Sequence, residues 1–281
     1  MEFRKLSHAL GAEVIGIDLA RELSDAHFEE VHRAFLQYSI LLFRDQHITR
    51  EQHIAFSRRF GELDENERSP DTDPKYPELT IVTTRPMPDG KPSESRYTGR
   101  LWHSDLCHSL TPAMGSLLRC LERPDVGGDT MFANMYMAYD TLSDGMKKLI
   151  EGLDGIHTRK RKFDVMSAER AEFLKSLKPV AQPAVRVHPV TGRKTLYVGE
   201  KVRQFAGLTP EESQPLLEFL NRHSTRPEFV YRHQWRKNDI VMWDNRCTMH
   251  LALGDFDMTQ IRHMERTTIK GTPSGYVCEA A

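Results

Sequence analysis

A histidine and an aspartate lie two positions apart at His103 and Asp105, directly after Trp102. On an extended backbone, side chains at positions i and i+2 leave the same face, so this imidazole and this carboxylate can converge on one ion. The triplet alone is a weak signal, because a chain with 13 histidines is expected to contain such a spacing by chance. A metal site here needs a further ligand from a distant part of the chain.

His250 is the candidate for that ligand. It follows the strand-like run 238–245 (NDIVMWDN), and the turn in 243–249 (WDNRCTM) brings the next residue back over the sheet. Two neutral imidazoles and one carboxylate on a triangular face leave three adjacent positions open on octahedral iron(II), which non-haem oxygenases need for a bidentate co-substrate and O₂. A structural zinc site would instead close its coordination shell, and the sequence offers no evident fourth ligand. His103, Asp105 and His250 are therefore predicted to bind iron(II).

Two arginines follow closely in the run 260–268 (QIRHMERTT). Strand alternation predicts Arg262 and Arg266 on one face, with His263 and Glu265 on the other. Arginine's planar fork suits a carboxylate, such as the far carboxylate of a keto-acid that chelates the metal. Two arginines on one buried face are costly without anions, which indicates two anionic groups, one on a co-substrate and one on a primary substrate. The alternative is a solvated strand face with unrelated arginines.

The elements that must carry these residues are mainly short strands. Because Gly, Pro and Asp turns separate them and long helices do not regularly alternate with them, an antiparallel sandwich or barrel with helical insertions is favoured over a doubly wound sheet. The predicted strands are Glu13–Ile17, Ile40–Phe43, Leu79–Thr83, Met114–Leu121, Thr195–Val198, Phe229–Trp235, Ile240–Trp243 and Ile261–Ile269.

Capping residues followed by helical spacing of apolar residues predict helices at four places: Ser24–Ser39, Thr49–Phe60, from Thr209 onward, and a short helix after Ser143. The segment 64–100 is rich in Pro, Asp, Ser and Gly. It is predicted to be a long mobile loop that covers the chemistry as a lid, or else a plain surface loop.

The overall composition predicts a folded protein that acts on a small molecule. A length of 281 residues is at the upper end of what one core supports, so one elaborated domain over 1–281 is expected, with two domains as the alternative. Lys plus Arg (39) nearly equals Asp plus Glu (40), which argues against a nucleic-acid or membrane partner. The N-terminus shows neither a secretion signal nor a membrane anchor, so a cytoplasmic location is expected. The four cysteines are then expected to be unpaired: Cys107, Cys120, Cys247 and Cys278.

Longer motifs follow one another along the chain: LWHSD (101–105), GGDT (127–130), EFVYRHQW (228–235), DIVMWDNRCTMH (239–250) and RHMERTT (262–268). In this order they resemble the family of taurine dioxygenase and 2,4-dichlorophenoxyacetate dioxygenase. The resemblance covers nearly the whole chain, from GAEVIGIDL near the N-terminus onward. It implies a double-stranded β-helix (jelly-roll, cupin-like) fold.

The resemblance also implies an activity. Members of this family are iron(II)- and 2-oxoglutarate-dependent dioxygenases, which use O₂ to hydroxylate a small organic anion and release succinate and CO₂. A homo-oligomer, dimer or tetramer, is implied as well. The matching positions are His103, Asp105 and His250 for the iron ligands, Thr130 for the hydroxyl that holds 2-oxoglutarate, Arg262 for its C5 carboxylate, and Arg266 for the substrate's sulfonate or carboxylate.

The sequence departs from the taurine enzymes at two places that contact taurine. Gly99 stands where they have an asparagine four residues before the first metal histidine, and Asp64-Glu65-Asn66 stands near where they have a histidine. Glycine offers no side chain to an amine, so an amine-free carboxylate or sulfonate, of the aryloxyalkanoate type, is the expected substrate. Hydroxylation beside an ether oxygen or a sulfonate gives an unstable product, so net C–O or C–S cleavage is expected.

Several alternatives stay open at this point. The chain could be a taurine dioxygenase proper, a zinc- or manganese-dependent hydrolase with the same three ligands, or a non-catalytic sensor on the same fold. Cys107 and His108 either line the pocket or only pack. Asp244 and Asn245 either support the His250 loop or simply form a turn.

Overall fold

Four β-sheets and five α-helices form the part of the chain that the computed structural model describes, which comprises residues 1–65, 73–87, 90–158, 172 and 178–278. The strands are β1 (Glu2–Lys5), β2 (Ala12–Ile15), β3 (Ile40–Phe43), β4 (Thr80–Thr83), β5 (Gly115–Glu122), β6 (Thr130–Asn134), β7 (Asp154–His157), β8 (Val180–Pro183), β9 (Val185–Val187), β10 (Lys194–Leu196), β11 (Val202–Phe205), β12 (Val230–His233), β13 (Ile240–Asp244), β14 (Thr248–Ala252), β15 (His263–Ile269) and β16 (Tyr276–Val277). The helices are α1 (Asp25–Tyr38), α2 (Arg50–Arg58), α3 (Met135–Asp140), α4 (Asp144–Ile150) and α5 (Pro210–Ser224), with 3-10 turns at Glu94–Tyr97 and Pro227–Phe229.

The largest sheet has the strand order β1-β2-β3-β13-β5-β15-β4, and a smaller one has the order β12-β6-β14. Two further sheets have the orders β11-β7-β8-β16 and β10-β9. In the described part of the chain, every strand pair is antiparallel except β2 with β3. The prediction of a mainly antiparallel β protein with helical insertions is confirmed.

Strand β13 shows why the sequence builds this arrangement. Its residues are all buried, because the strand lies inside the large sheet and is covered on both faces. Ile240 and Met242 pack into a core cluster with α1 and α2, whereas Trp243 belongs to a second cluster that includes Phe132 of β6. The rings of Phe132 and Trp243 lie 5.5 Å apart, so this second core joins the large sheet to the small one.

The predicted helix starts are confirmed at atomic detail. The Ser24 hydroxyl accepts from the backbone of α1, and Ser143 does the same for α4. Thr49 with Gln52, and Thr209 with Glu212, form reciprocal capping boxes at the starts of α2 and α5.

Several elements escaped prediction, among them β6, β14 and α3. The strands β6 and β14 are short and contain the buried polar residues Thr130 and His250. The predicted strand Phe229–Trp235 begins instead as a 3-10 turn, and its strand is confined to β12.

The segment 64–100 contains ordered structure, namely β4 and the 3-10 turn Glu94–Tyr97. Its residues 66–72 and 88–89 lie outside the described part, so the prediction of a mobile lid remains a prediction. All four cysteines are buried, and no disulfide joins any two of them, as predicted. Within the described ranges, no helix has the length and apolarity needed to cross a membrane.

Candidate active site

The structure brings His103, Asp105 and His250 together. A β-bridge joins the two histidines, with His103 N donating to His250 O at 3.1 Å and His250 N donating to His103 O at 2.9 Å. The centroids of their imidazole rings are 4.2 Å apart. One potential ligand atom from each of the three residues lies within 4.8 Å of the others, and all three side chains are buried. This arrangement can hold one metal ion.

The route of the chain differs from the expected one. His103 lies in a β-bridge, whereas Asp105 opens a turn in which Leu106 takes a positive φ of 50°, so the extended backbone predicted for the His-x-Asp triplet does not continue through Asp105. The turn after β13 carries the chain from the large sheet to the small one, where His250 lies in β14. The site therefore lies where the two sheets meet.

The electrostatics of the site suit a divalent metal. Burial lowers the pKa of His103, and it lowers the pKa of His250 to about 4, so both imidazoles are neutral at pH 7. The His103 Nδ1 donates to Leu101 O at 2.6 Å, which leaves the Nε2 lone pair for a ligand. Burial alone would raise the pKa of Asp105, but Arg266, whose Nη1 is 2.6 Å from Oδ1, and the neighbouring groups hold it well below its usual range.

Asp105 is positioned by a buried polar network that sequence reasoning partly missed. The Asp105 amide donates to Asn245 Oδ1 at 3.0 Å, and Trp243 Nε1 donates to the same oxygen at 3.0 Å. Asn245 Nδ2 donates to Ser116 Oγ at 3.0 Å, and that hydroxyl donates to Asp105 Oδ2 at 2.8 Å. Asn245 is therefore more than a turn residue. The only signal for Ser116 was a small hydroxyl residue inside the predicted strand Met114–Leu121.

Asp244, by contrast, closes the turn. Its Oδ1 accepts from the backbone and side chain of Arg246, and its Oδ2 accepts from His188 Nε2 at 3.1 Å. With Cys247 these residues form a second group that has metal-binding atom types. His188 has no nitrogen left for a metal, however, because its Nδ1 accepts from the amide of Thr191. The group is a structural hydrogen-bond cluster.

Arg262 and Thr130, the two residues that the family resemblance assigns to the co-substrate, lie together. Arg262 Nη2 donates to Thr130 Oγ1 at 3.3 Å, and its Nε donates to Gly128 O at 2.9 Å. Trp235 Nε1 donates to the same Thr130 hydroxyl at 3.0 Å. Burial lowers the pKa of Arg262 to about 10. No carboxylate of the described residues forms a salt bridge with this guanidinium, which leaves it able to receive a ligand's anion.

Arg266 borders the metal site. Its partner is Asp105, at 2.6 Å, so the guanidinium lies beside the proposed metal ligands. Glu265 points the other way and accepts from Arg50 of α2 at 2.7 Å. The predicted alternation of Arg266 and Glu265 across the strand is therefore confirmed.

Gly99 is also next to the site. It has a positive φ of 81°, and a Cβ built on it would lie 3.8 Å from the His103 ring and 3.4 Å from Ala252. The position that departs from the taurine enzymes is thus in contact range of a proposed metal ligand. Cys107 is 2% exposed, whereas His108 is partly exposed.

Comparison with known proteins settles the family. The model of the family described as "Taurine catabolism dioxygenase TauD, TfdA family" matches residues 2–268. The chain belongs to this TauD/TfdA family. An (S)-phenoxypropionate/alpha-ketoglutarate-dioxygenase of Sphingobium herbicidovorans is 36% identical, over 96% of this chain and 94% of the relative. An alpha-ketoglutarate-dependent 2,4-dichlorophenoxyacetate dioxygenase of a Burkholderia species is 35% identical, over 92% of this chain and 91% of the relative.

The fold of this chain is also similar to that of a solved structure. The structure of AAD-2 in complex with Mn(II) and N-oxalylglycine superposes with a TM-score of 0.84 and 36% identity, covering 98% of this chain and all of that one. This TauD/TfdA-family chain is accordingly a 2-oxoglutarate-dependent dioxygenase that requires iron(II). The function class and co-substrate predicted from the motifs are confirmed.

Proposed function

We propose that this enzyme hydroxylates a small, amine-free organic anion, either a carboxylate of the aryloxyalkanoate type or a sulfonate. The proposal is supported by the positions of two arginines: Arg266 contacts a proposed metal ligand, and Arg262 contacts β6, the strand that pairs with β14 of His250. Arg262 lies beside Thr130 on one side, and Arg266 lies against Asp105 on the other. The relatives that act, by name, on phenoxypropionate and 2,4-dichlorophenoxyacetate support this substrate class.

We assign His103, Asp105 and His250 as the iron ligands. Two neutral imidazoles and one carboxylate, all buried, fit the donor set of a non-haem iron(II) oxygenase. When bound, the metal supplies the oxygen-activating chemistry that no side chain can perform. The residues around it hold and orient the ligands, and the buried setting excludes water from the reacting groups.

Arg262 and Thr130 are assigned to 2-oxoglutarate. The planar guanidinium is suited to grip the C5 carboxylate, and the Thr130 hydroxyl adds a further hydrogen-bonding group. The buried position of Arg262 strengthens such a contact, because a desolvated cation gains more from an anion than an exposed one does.

Arg266 is assigned to the anionic group of the primary substrate. Its side chain is 17% exposed and contacts Asp105, so a carboxylate or sulfonate bound there would bring the neighbouring carbon close to the metal. Gly99 removes the side chain that would meet an amine, which disfavours taurine. Hydroxylation of a carbon that carries an ether oxygen gives a hemiacetal. That product divides into an alcohol and a carbonyl compound, so the net reaction is C–O cleavage.

We also infer that the large sheet and the β12-β6-β14 sheet are the two halves of a double-stranded β-helix, and that residues 1–281 form one domain. The shared core between β6 and β13 supports the first inference. The second is supported because strands from β1 to β15 belong to one sheet. A cytoplasmic dimer or tetramer is the expected form, and light scattering after gel filtration measures its mass.

The experiment is a turnover screen of purified enzyme with iron(II), 2-oxoglutarate and O₂ against aryloxyalkanoates, sulfonates, alkyl sulfates, simple carboxylates and taurine. Succinate is measured for each compound. We expect an aryloxyalkanoate or an amine-free sulfonate to give the largest increase over the substrate-free rate. Preference for taurine would contradict the substrate proposal, and no succinate above the metal-free level with any compound would contradict the proposed role of the site.

A further inference from the structure

A small cavity lined by Arg262 carries more positive charge than one carboxylate can neutralise. Arg96 and Arg100 line it together with Arg262, and the remaining lining is hydroxyl and apolar, with no carboxylate among the lining residues. Buried or half-buried cations without a counter-ion are costly unless an anion arrives. The cavity is therefore built to receive negative charge.

Arg100 contacts a methionine sulfur and an aromatic ring. Its Nη2 lies 3.4 Å from Met258 Sδ, a weak acceptor, and its guanidinium carbon lies 5.0 Å from the centre of the Tyr97 ring. Among the described residues, no carboxylate forms a salt bridge with it. A guanidinium held by a sulfur and an aromatic ring keeps most of its donors for a ligand.

Gly254 shows that this position of Arg100 is specifically accommodated. A Cβ built on Gly254 would lie 2.4 Å from Arg100 Nη1 and 2.6 Å from Arg100 Cζ. Gly254 has no positive φ to explain the glycine. Its absent side chain leaves the space in which the Arg100 guanidinium lies.

The positive charges of Arg100 and Arg262, which both line the cavity, repel each other. Burial is the main cause that lowers the pKa of Arg262, and the charge of Arg100 lowers it further. Arg96 is the weaker candidate for a second ligand-binding cation, because its Nη2 already donates to Met258 O at 3.2 Å. An anion placed between Arg100 and Arg262 would relieve their mutual repulsion and accept hydrogen bonds from both guanidinium groups.

We propose that Arg100 is a second cation of the co-substrate pocket, so that the C5 carboxylate of 2-oxoglutarate binds between the Arg100 and Arg262 guanidinium groups. The inference rests on the proposed role of Arg262. It makes Arg100 a determinant of the preference for a 2-oxo dicarboxylate over a 2-oxo monocarboxylate of the same length.

The test is calorimetric binding to the Mn(II)-loaded, full-length protein, which needs no turnover. The probes are 2-oxoglutarate, N-oxalylglycine, and 2-oxopentanoate, which has the same five carbons but lacks the C5 carboxylate. The variants are Arg100→Met and Arg262→Met. The matched control is Arg21→Met, which removes an arginine whose side chain is 86% exposed.

For Arg100→Met we expect the Kd of 2-oxoglutarate to rise about tenfold or more, as for loss of a charge-assisted hydrogen bond. The Kd of 2-oxopentanoate should stay near its wild-type value, and Arg21→Met should change neither. Gly254→Ala provides an independent check. It keeps every charge but displaces the Arg100 guanidinium, so it too should weaken 2-oxoglutarate and spare 2-oxopentanoate.

The inference is overturned if Arg100→Met binds 2-oxoglutarate like the wild type while Arg262→Met loses binding, a result that leaves the role of Arg262 intact. It is equally overturned if Arg100→Met leaves the Kd of 2-oxoglutarate unchanged and raises KM for the primary substrate, because Arg100 would then serve that substrate. If Arg262→Met binds 2-oxoglutarate normally, the proposed role of Arg262 fails, and the inference fails with it.

Discussion

Replacing Ser116 by alanine tests how the protein positions its carboxylate ligand. Ser116 is fully buried, and its hydroxyl donates to Asp105 Oδ2 at 2.8 Å while accepting from Asn245 Nδ2 at 3.0 Å. The variant loses a hydrogen bond to a charged group, about 1.5–3 kcal/mol, and leaves one buried amide donor unpaired, about 1–3 kcal/mol. Because the two contributions belong to one network, they are not fully additive. We expect the free energy of unfolding to decrease by about 2–4 kcal/mol.

Ser116→Ala should also weaken metal binding, an effect separate from the loss of folding stability. Without Ser116, the Asp105 carboxylate keeps Arg266 as its side-chain partner on Oδ1 and loses the contact that orients Oδ2. Removing such an outer partner typically weakens metal binding about 10- to 100-fold. We expect a decrease of that size in Mn(II) affinity, measured by calorimetry on folded protein, with a fall in Tm of about 5–10 °C.

Ser57→Ala is the matched control. Ser57 is as buried as Ser116, and its hydroxyl donates to His53 O at 2.8 Å and lies 2.7 Å from the Thr267 hydroxyl. It should lower Tm by a similar amount and leave Mn(II) affinity unchanged. If Ser116→Ala keeps wild-type Mn(II) affinity, or if the control weakens the metal equally, the positioning argument is refuted.

Three further predictions follow from contacts around the site. Arg266→Ala should raise KM for the primary substrate far more than the Kd of 2-oxoglutarate, and the opposite ranking in steady-state kinetics and calorimetry would mean that the roles of Arg266 and Arg262 are exchanged. Burial lowers the pKa of His53 from 6.5 to about 3. Between these two pH values the unfolded state protonates His53 and the folded state does not, so the free energy of unfolding decreases as the pH falls through this range. Urea unfolding at pH 7 and pH 5 should show a smaller loss of stability in His53→Gln than in the wild type, and an equal loss would refute the assignment. Gly99→Asn restores the residue type of the taurine enzymes and should raise the ratio of kcat/KM for taurine to that for the preferred substrate; an unchanged ratio would show that this position does not set specificity.

The sequence singled out residues that the structure brings together. His103, Asp105, His250, Thr130 and Arg262 were chosen because their residue types carry chemistry and their motifs occur in family order, and the structure groups the first three and places Arg262 beside Thr130. The contacts among them depend on pairing between strands far apart in the chain, which no local pattern records.

Ser116 illustrates the limit. It reaches Asp105 because it pairs with Trp243 in the register of β5 and β13, and a slip of one residue would turn its hydroxyl to the other face. Arg100 was missed for a similar reason, because its space depends on Gly254, more than a hundred residues away in the chain. The strands β6 and β14 are only five residues long and lack a clear alternation of apolar and polar residues, so the local pattern did not predict them.

The most direct test of the whole account is succinate formation by wild-type enzyme and His103→Ala, each with iron(II), 2-oxoglutarate, O₂ and the best substrate from the screen. Circular dichroism must show both proteins folded. If His103, Asp105 and His250 hold the catalytic iron, the variant produces no succinate above the metal-free level, while the wild type produces one succinate for each substrate oxidised. Wild-type succinate formation by His103→Ala would contradict the assignment of the metal site.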